Sequence, residues 1–420
     1  MITPSGTPWL APLVTDYLAT LSDCLDTVVA DGLDTQVRTL ASAVRSPCGT
    51  VYAVGNGGSS STAETFRIHL RSSLGHRHLA RVFNGWSSHL VVDAVHRHGF
   101  TRSTVRLLDQ ERLGPDDLVI VISASGNSRN LVAVADQCLN RKVPVLACTG
   151  SPGGELAKRD VARLTASTAD QQLAEDATHA ALYLLVAATK SELEGRSLDR
   201  LALQRLADGI KDDLQLDVGW LDNASDAIAD AVLASRPIHV VAPEGGTLAS
   251  AAEHVAHNLM WDMCHDLDAP PPDIRWGISV AHFTGMSNDS PVQSDAMVSL
   301  VRHARPDDLM FLFGHDHTSV CTSGMIAHSH RAGVRLFGSF GSEPTAMQFH
   351  GTAIAGGSDG YLRALRTQMI GHLLLRAARS KIGRRLRSSI DLAEEERQAR
   401  LPVAPLLARG SKISRSTDGK

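Results

Sequence analysis

The strongest constraint on the fold is an alternation of short apolar runs with helical patterns along the first half of the chain. The apolar runs are TVYAVG, LARVFN, LVIVIS and PVLACTG, and segments such as SRNLVAVADQCLNRK separate them. Buried strands that alternate with helices are typical of βαβ units, in which the strands run parallel and helices cover both faces of the sheet. The pattern therefore predicts an α/β fold with a doubly wound parallel sheet.

The second half of the chain repeats this plan. After a helical stretch from about Leu198 to Leu233, the segment RPIHVVAPEGGTLAS again runs from an apolar strand through a glycine pair into a helix. Further on, DDLMFLFGHDHTS resembles DDLVIVISASGNS, and GVRLFGSFGSEP resembles KVPVLACTGSPG. Such internal similarity indicates a duplicated unit. We predict two tandem domains over residues 1–195 and 196–382, followed by a partly disordered tail over residues 383–420.

Composition limits the functional classes. The chain has 420 residues, 43% hydrophobic content and a formal charge of -4, which suits two globular domains and argues against a nucleic-acid binder. Its start, MITPSGTPWL, lacks the features of a signal peptide, and its longest apolar stretch is too short to cross a bilayer. The six cysteines form no CxxC pair, which argues against a disulfide framework. We expect a cytoplasmic protein that binds neither nucleic acid nor membrane.

Two polar loops follow apolar strands in the first half. GNGGSS offers backbone N–H groups without side-chain hindrance, and SASGNS offers several hydroxyls beside the start of a helix. In an open α/β sheet such loops meet at the carboxyl ends of the strands, so an anion such as a phosphate is the expected ligand. Two alternatives stay open at this point. The serines can simply cap helices, and GNGGSS approximates a dinucleotide-binding motif, although Ser60 replaces its third glycine.

Three motifs in register resemble the sugar isomerase (SIS) family of phosphoheptose isomerases over roughly residues 15–190. They are GNGGSSSTAETF, the ISASGNS loop and TGSPGGELAKRDV. The resemblance implies a five-stranded parallel sheet in each domain and a sugar phosphate held by the two loops. The predicted substrate-binding residues are Asn56, Gly57, Gly58, Ser59, Ser123, Ser125, Asn127 and Ser128.

The first half departs from the resembled family at its catalytic positions. Family members carry a histidine and, four residues later, a glutamate base on the helix after the first loop, and the matching positions here are Thr65 and His69. The glutamine and paired histidines of the family's last helix are also missing from LAEDATHAALYLLV, where Glu175 and His179 are the nearest titratable residues. We therefore predict that the first half binds phosphate but lacks the base.

The second half matches the complementary set of family residues. His254 falls at the family's histidine position, Asn258 at its glutamate position, Asp289 in a retained Asn-Asp pair, and His372 at the catalytic histidine. The resemblance implies that these four residues are catalytic, and histidine can transfer protons near neutral pH. His254 and His372 are also the predicted ligands if the protein uses a metal, with zinc as the candidate cofactor. The HDH sequence at residues 315–317 is a weaker metal candidate.

The resemblance predicts a phosphosugar aldose-ketose isomerase that acts on a heptose phosphate such as sedoheptulose 7-phosphate through an enediolate. Loss of the glutamate from both halves leaves two alternatives open. One is a non-catalytic sugar-phosphate sensor or partner subunit, and the other is a different phosphosugar enzyme that uses histidine as its base. Because family active sites lie between subunits and the family is commonly tetrameric, we expect an internal pseudo-dimer and a homodimer of two-domain chains.

Overall fold

The computed structural model describes residues 8–74, 82–83, 85–196, 198–212, 216–265, 271–276, 298, 301–315, 317–341, 349, 351–355 and 359–386. The helices are α1 (Leu10–Asp31), α2 (Asp34–Arg45), α3 (Gly58–Leu74), α4 (Ser88–His98), α5 (Phe100–Gln110), α6 (Arg129–Asn140), α7 (Gln171–Leu193), α8 (Arg200–Asp212), α9 (Val218–Leu233), α10 (Gly246–His265), α11 (Val320–Ala332) and α12 (Gly360–Leu386). The strands are β1 (Val51–Gly55), β2 (Leu118–Ile122), β3 (Val145–Gly150), β4 (Ala162–Ala166), β5 (Ile238–Val241), β6 (Ile274–Trp276), β7 (Leu309–Phe313), β8 (Arg335–Phe340) and β9 (Gly351–Ile354).

Each half of the chain contains one parallel sheet, which confirms the predicted α/β fold. The second sheet has five strands in the order β6-β5-β7-β8-β9. The first sheet has four strands in the described residues, in the order β1-β2-β3-β4. The run LARVFN, predicted as a strand, contributes a single parallel bridge from Val82 to Val51, while residues 75–81 and 84 lie outside the described part.

The strands of the first sheet are buried on both faces because helices cover each side. In β2, Ile120 and Ile122 pack into a large cluster with the first, third and seventh helices, and Val119 and Val121 pack against α6 on the other face. Successive side chains of a strand point to opposite faces, so a run as apolar as LVIVI requires this double cover. The large cluster continues into Phe311 of the second sheet, so one apolar core joins the two halves.

Two pairs of helices form the boundary between the halves. The α3 helix packs on α10, and α7 packs on α12. At the first contact the Ser250 hydroxyl donates to the carbonyl of Ser61 at 2.8 Å. Both α7 and α12 are buried along most of their length, including several of their polar and charged side chains. Polar side chains on these helices must therefore find partners at the boundary.

The predicted bounds of the two domains stay predictions. The predicted start of the tail, at residue 383, needs a correction. Strands β1 to β4 lie within residues 1–195 and β5 to β9 within residues 196–382. The last helix continues to Leu386, so residues 383–386 belong to the folded part and not to the tail. Residues 387–420 lie outside the described part. Among the described helices, none is both long and apolar enough to span a bilayer.

Candidate active site

The glycines of the first loop lie against the second domain. Gly57 has a positive φ of 52°, and a Cβ atom on it would lie 2.8 Å from Nε2 of His257. A Cβ atom on Gly58 would lie 2.5 Å from Cε1 of His254. Side chains at these positions would push α10 away from the loop. The glycines predicted for ligand binding therefore also allow close approach of the two domains.

In the second loop, one serine does not use its hydroxyl to cap the helix that follows. Ser128 occupies the N-cap of α6, yet within the described residues its side chain makes no capping hydrogen bond. Its hydroxyl instead lies 3.1 Å from that of the buried Ser123. The Ser125 hydroxyl accepts from the backbone N–H of Asn127 at 3.2 Å. Helix capping, the simpler interpretation of the sequence, therefore does not account for Ser128.

An amide pair connects the two loops. The side chains of Asn56 and Asn130 exchange two hydrogen bonds of 2.9 Å, which holds the first loop against the start of α6. Ser59, the next predicted ligand residue along the first loop, is buried in the first turn of α3. Asn127 accepts from the backbone N–H of Glu155 at 3.0 Å, so it also holds a third loop in place. The structure thus joins the predicted loops at one end of the sheet.

Three buried side chains converge beside Gly58, and we call Glu175, His254 and His372 the imidazole cluster. They come from α7, α10 and α12, so both domains contribute. The two Nε2 atoms of the histidines lie 3.0 Å apart. Oε2 of Glu175 lies 3.3 Å from Nε2 of His254 and 3.6 Å from Nε2 of His372. The ligand atoms of two imidazoles and one carboxylate therefore surround one common position.

Outer hydrogen bonds fix the orientation of both imidazole rings. Nδ1 of His254 lies 3.1 Å from the carbonyl oxygen of Gly58, and Nδ1 of His372 lies 3.1 Å from a carboxylate oxygen of Asp176. Because these oxygens accept, both Nδ1 atoms must donate, and the Nε2 atoms are left to face each other. Asp176 is itself held by Gln368 at 2.8 Å and by a short hydrogen bond from the Tyr17 hydroxyl.

The cluster carries an ionised carboxylate and a strongly basic histidine. Burial would raise the pKa of Glu175, but hydrogen bonds from His254 and His372 hold it well below its usual range. Burial would lower the pKa of His372, but the carboxylates of Asp176 and Glu175 raise it to about 10. A positive charge is therefore favoured between these three side chains, either as a proton on His372 or as a metal ion.

The donor set fits zinc. In a tetrahedral zinc site with bonds of about 2.0–2.1 Å, neighbouring ligand atoms lie roughly 3.3 Å apart. The three separations in the imidazole cluster are 3.0, 3.3 and 3.6 Å. Zinc-binding histidines usually donate their second N–H to a carbonyl or a carboxylate, as His254 and His372 do here. Three protein ligands leave a fourth position for water or substrate, which is the pattern of a catalytic site.

The structure brings together two of the four predicted catalytic residues in direct contact. His254 and His372 meet in the imidazole cluster, and Asn258 follows one turn later on α10. Asn258 is 8% exposed, and its Nδ2 atom has no hydrogen-bond partner among the described residues. Asp289 lies outside the described part of the chain. In the weaker HDH candidate, Asp316 is likewise outside it, and Nδ1 of His315 already accepts from Arg363.

Sequence reasoning missed Glu175 as a member of the cluster and Asp176 and Tyr17 as its supports. A signal was present for the two acids, because they sit side by side shortly before the apolar run AALYLLVAA of the same helix. Buried acids require partners, so the pair could have been recognised as part of a polar site. Tyr17 offers no such signal, because a tyrosine in an apolar helix face is ordinary core.

Part of the first half is similar in sequence to known proteins. Residues 96–190 match the family model of the SIS domain. This chain contains a SIS domain. Over 112 residues it is 30% identical to a phosphoheptose isomerase from Alteromonas mediterranea, in an alignment that covers 26% of this chain and 54% of that protein. The chain thus spans about half the length of the curated relatives it matches.

Solved structures extend the SIS fold to both halves. The C-terminal domain of glucosamine-fructose-6-phosphate aminotransferase from Francisella tularensis superimposes with a TM-score of 0.56 at 10% identity, covering 90% of this chain and 98% of that one. Tagatose-6-phosphate ketose/aldose isomerase from Escherichia coli gives a TM-score of 0.53 at 13% identity, covering 96% and 98%. At these identities the likeness establishes the fold alone. The two sheets fit a tandem pair of SIS domains.

Proposed function

We propose that this protein is a phosphosugar aldose-ketose isomerase with one active site between its SIS domains. The observation that carries this proposal is the imidazole cluster, because His254 of the second domain donates to Gly58 of the first loop. The first domain would then bind the phosphate close to the acid-base or metal groups that the second domain supplies. A heptose phosphate such as sedoheptulose 7-phosphate is the substrate we propose to test first, alongside hexose phosphates.

The chain supplies the groups that an enediolate pathway needs. Glu175, His254 and His372 would hold the metal, and a zinc ion bound there would polarise the carbonyl of an open-chain sugar. The amide N–H of Asn258, which has no hydrogen-bond partner among the described residues, can donate to a substrate oxygen as negative charge develops there.

Two side chains on α10 are available for proton transfer. Burial raises the pKa of Asp262 to about 6, which suits a general base near neutral pH, and Gln172 donates to it at 3.4 Å. His257 faces Gly57 of the first loop, and burial lowers the pKa of its imidazole, so the ring is available as a neutral acceptor. Either group would take over the task of the glutamate that both halves lack.

The sensor alternative differs in what the imidazole cluster does. In a sensor or partner subunit the two histidines would merely pack, whereas two imidazoles and one carboxylate whose ligand atoms lie this close together could hold a metal ion. Another phosphosugar-transforming enzyme built on the same residues stays open, and the choice of substrate panel decides it. The homodimer of two-domain chains and the cytoplasmic location also stay proposals.

Substitution of a cluster histidine tests the proposed site. His372→Asn should reduce bound zinc from about one ion per chain to near zero and lower turnover by about a hundredfold to ten-thousandfold, while phosphate binding at the loops survives. Metal analysis, steady-state kinetics and calorimetry with a ketose phosphate measure the three quantities. As a control, His328→Asn removes an imidazole that hydrogen-bonds the Val301 carbonyl at 3.2 Å, and zinc content should not change. Wild-type turnover in folded His372→Asn would end the catalytic assignment.

A further inference from the structure

The second domain has a segment that corresponds to each phosphate loop of the first domain. The hydrogen bonds between these two segments differ from those between the two loops of the first domain. In the first domain, Asn56 of GNGGS pairs with the side chain of Asn130 on α6. The corresponding segment of the second domain is PEGGT, which places Glu244 at the position of Asn56. A neutral amide is thus replaced by a carboxylate at the mouth of the second loop.

The Glu244 carboxylate occupies the second loop of its own domain. One of its oxygens accepts a short hydrogen bond from the backbone N–H of His315, two residues after the end of β7. The other accepts from the hydroxyl of Thr322 in the first turn of α11 at 3.3 Å. Backbone N–H groups and hydroxyls at this position, between a strand end and a helix start, are the groups that bind phosphate in open α/β folds.

Ser319, another polar residue of this loop, also hydrogen-bonds to Thr322. Ser319 caps α11 by accepting from the backbone N–H of Thr322 at 3.3 Å, and it donates to the Thr322 hydroxyl at 2.9 Å. Arg363 of α12 donates to Nδ1 of His315, which places a guanidinium beside the loop. The surroundings therefore suit an anion, and the anion present is the side chain of Glu244. Ser128, the residue that corresponds to Ser319, makes no capping bond among the described residues.

We propose that Glu244 closes the anion site of the second SIS domain from within, so that each chain binds one phosphate group and not two. The proposal rests on the proposed function only in assigning that one phosphate to the first domain. A dianionic phosphate that approached the second loop would meet the Glu244 charge at contact distance and would have to displace it from two donors. Removal of the carboxylate frees both donors and should open a second site.

The test counts phosphate sites in matched variants, with inorganic phosphate as the probe and calorimetry as the measurement. We expect one site in the wild type, none in Ser125→Ala at the same phosphate range, two in Glu244→Ala, and one in the Ser125→Ala/Glu244→Ala double variant. The double variant is decisive because its single site can lie only in the second domain. If Glu244→Ala binds no more phosphate than the wild type, the proposal is wrong.

A second variant covers the case in which Glu244→Ala does not fold. Glu244→Gln keeps one acceptor oxygen for the backbone N–H of His315 and turns an amide N–H towards the Thr322 hydroxyl, which can accept from it. It removes the negative charge, so phosphate should compete successfully and raise the site count above that of the wild type. An unchanged count in folded Glu244→Gln would also overturn the proposal. Absence of a Ser125-dependent site in the wild type, together with a new site in the Glu244 variants, would instead contradict phosphate binding by the first domain and support closure by Glu244.

Discussion

His69 lies at the helix position where the resembled family carries its glutamate base, and its ring packs against two tyrosines that also contact each other. The ring centroid is 4.3 Å from that of Tyr361 and 5.5 Å from that of Tyr183. Burial lowers the pKa of the imidazole to about 4, so the residue is neutral near pH 7. The position that would hold a charged base in the family thus holds a neutral ring in an aromatic stack.

Replacement of His69 by phenylalanine should weaken the dependence of stability on acid pH. The pKa of His69 is about 4 in the folded protein and 6.5 in the unfolded chain, so the unfolded state binds more protons between these values. Stability contributed by the neutral ring is therefore lost as pH falls from 6.5 towards 4, by up to about 3 kcal/mol. Urea unfolding at pH 7 and pH 4.5 should show a smaller difference in His69→Phe than in the wild type.

A matched variant separates titration from packing at this stack. Tyr183→Phe keeps both aromatic contacts with His69 and leaves its imidazole in place. Its free energy of unfolding should therefore keep the wild-type difference between the two pH values. Equal pH dependence in His69→Phe and the wild type would contradict a buried, neutral His69.

Whether the sequence predicts a site residue depends on whether the signal lies in a local pattern or in contacts with distant parts of the chain. Alternating apolar runs predict the sheets because strand burial is local, and the resemblance identifies His254 and His372 because each lies within a recognisable helix motif. Glu175 acts through partners on two other helices of the other domain, and no spacing along the chain encodes that meeting. The Glu244 contacts depend in the same way on a residue about seventy positions away, His315.

At the scale of elements, the start of α7 is fastened to α12 by a buried ion pair. Asp170 caps α7 by accepting from the backbone N–H groups of Gln172 and Leu173 at 3.1 and 3.2 Å. The same carboxylate accepts two hydrogen bonds from the guanidinium of Arg376 on α12, at 2.6 and 2.7 Å. Because α7 carries Glu175 and α12 carries His372, this contact sets the spacing of the imidazole cluster.

Loss of the Asp170 carboxylate should cost much more than loss of an ordinary helix cap. Asp170→Ala removes a cap and leaves the Arg376 charge buried without its ion-pair partner, so we expect a destabilisation of about 3–5 kcal/mol. Asp217→Ala provides the matched control, because Asp217 caps α9 through Gly219 at 2.9 Å on the surface. That change should cost about 1 kcal/mol. Equal losses in denaturant unfolding would show that the ion pair contributes nothing beyond capping.

At the scale of the whole molecule, the two SIS domains form one functional unit in this account. A single apolar cluster runs through both sheets, and the imidazole cluster takes one residue from the first domain and two from the second. Neither domain alone holds the complete donor set. In our proposal the first domain binds the phosphate, while Glu244 closes the corresponding loop of the second domain and that domain supplies the two histidines. We therefore expect phosphate binding to depend on the first domain and chemistry to depend on both domains of the same chain.

Proton exchange in deuterium oxide tests this account most directly. The zinc-loaded protein is incubated with a panel of aldose and ketose phosphates that includes sedoheptulose 7-phosphate, and nuclear magnetic resonance detects deuterium at the carbons that the isomerisation interconverts. Exchange reports proton abstraction even when net turnover is small. We expect exchange with at least one phosphosugar, lowered a hundredfold or more in Glu175→Gln, and no exchange with the matching sugars that lack phosphate. No exchange with any member of the panel, or equal exchange in folded Glu175→Gln, would contradict an isomerase centred on Glu175, His254 and His372.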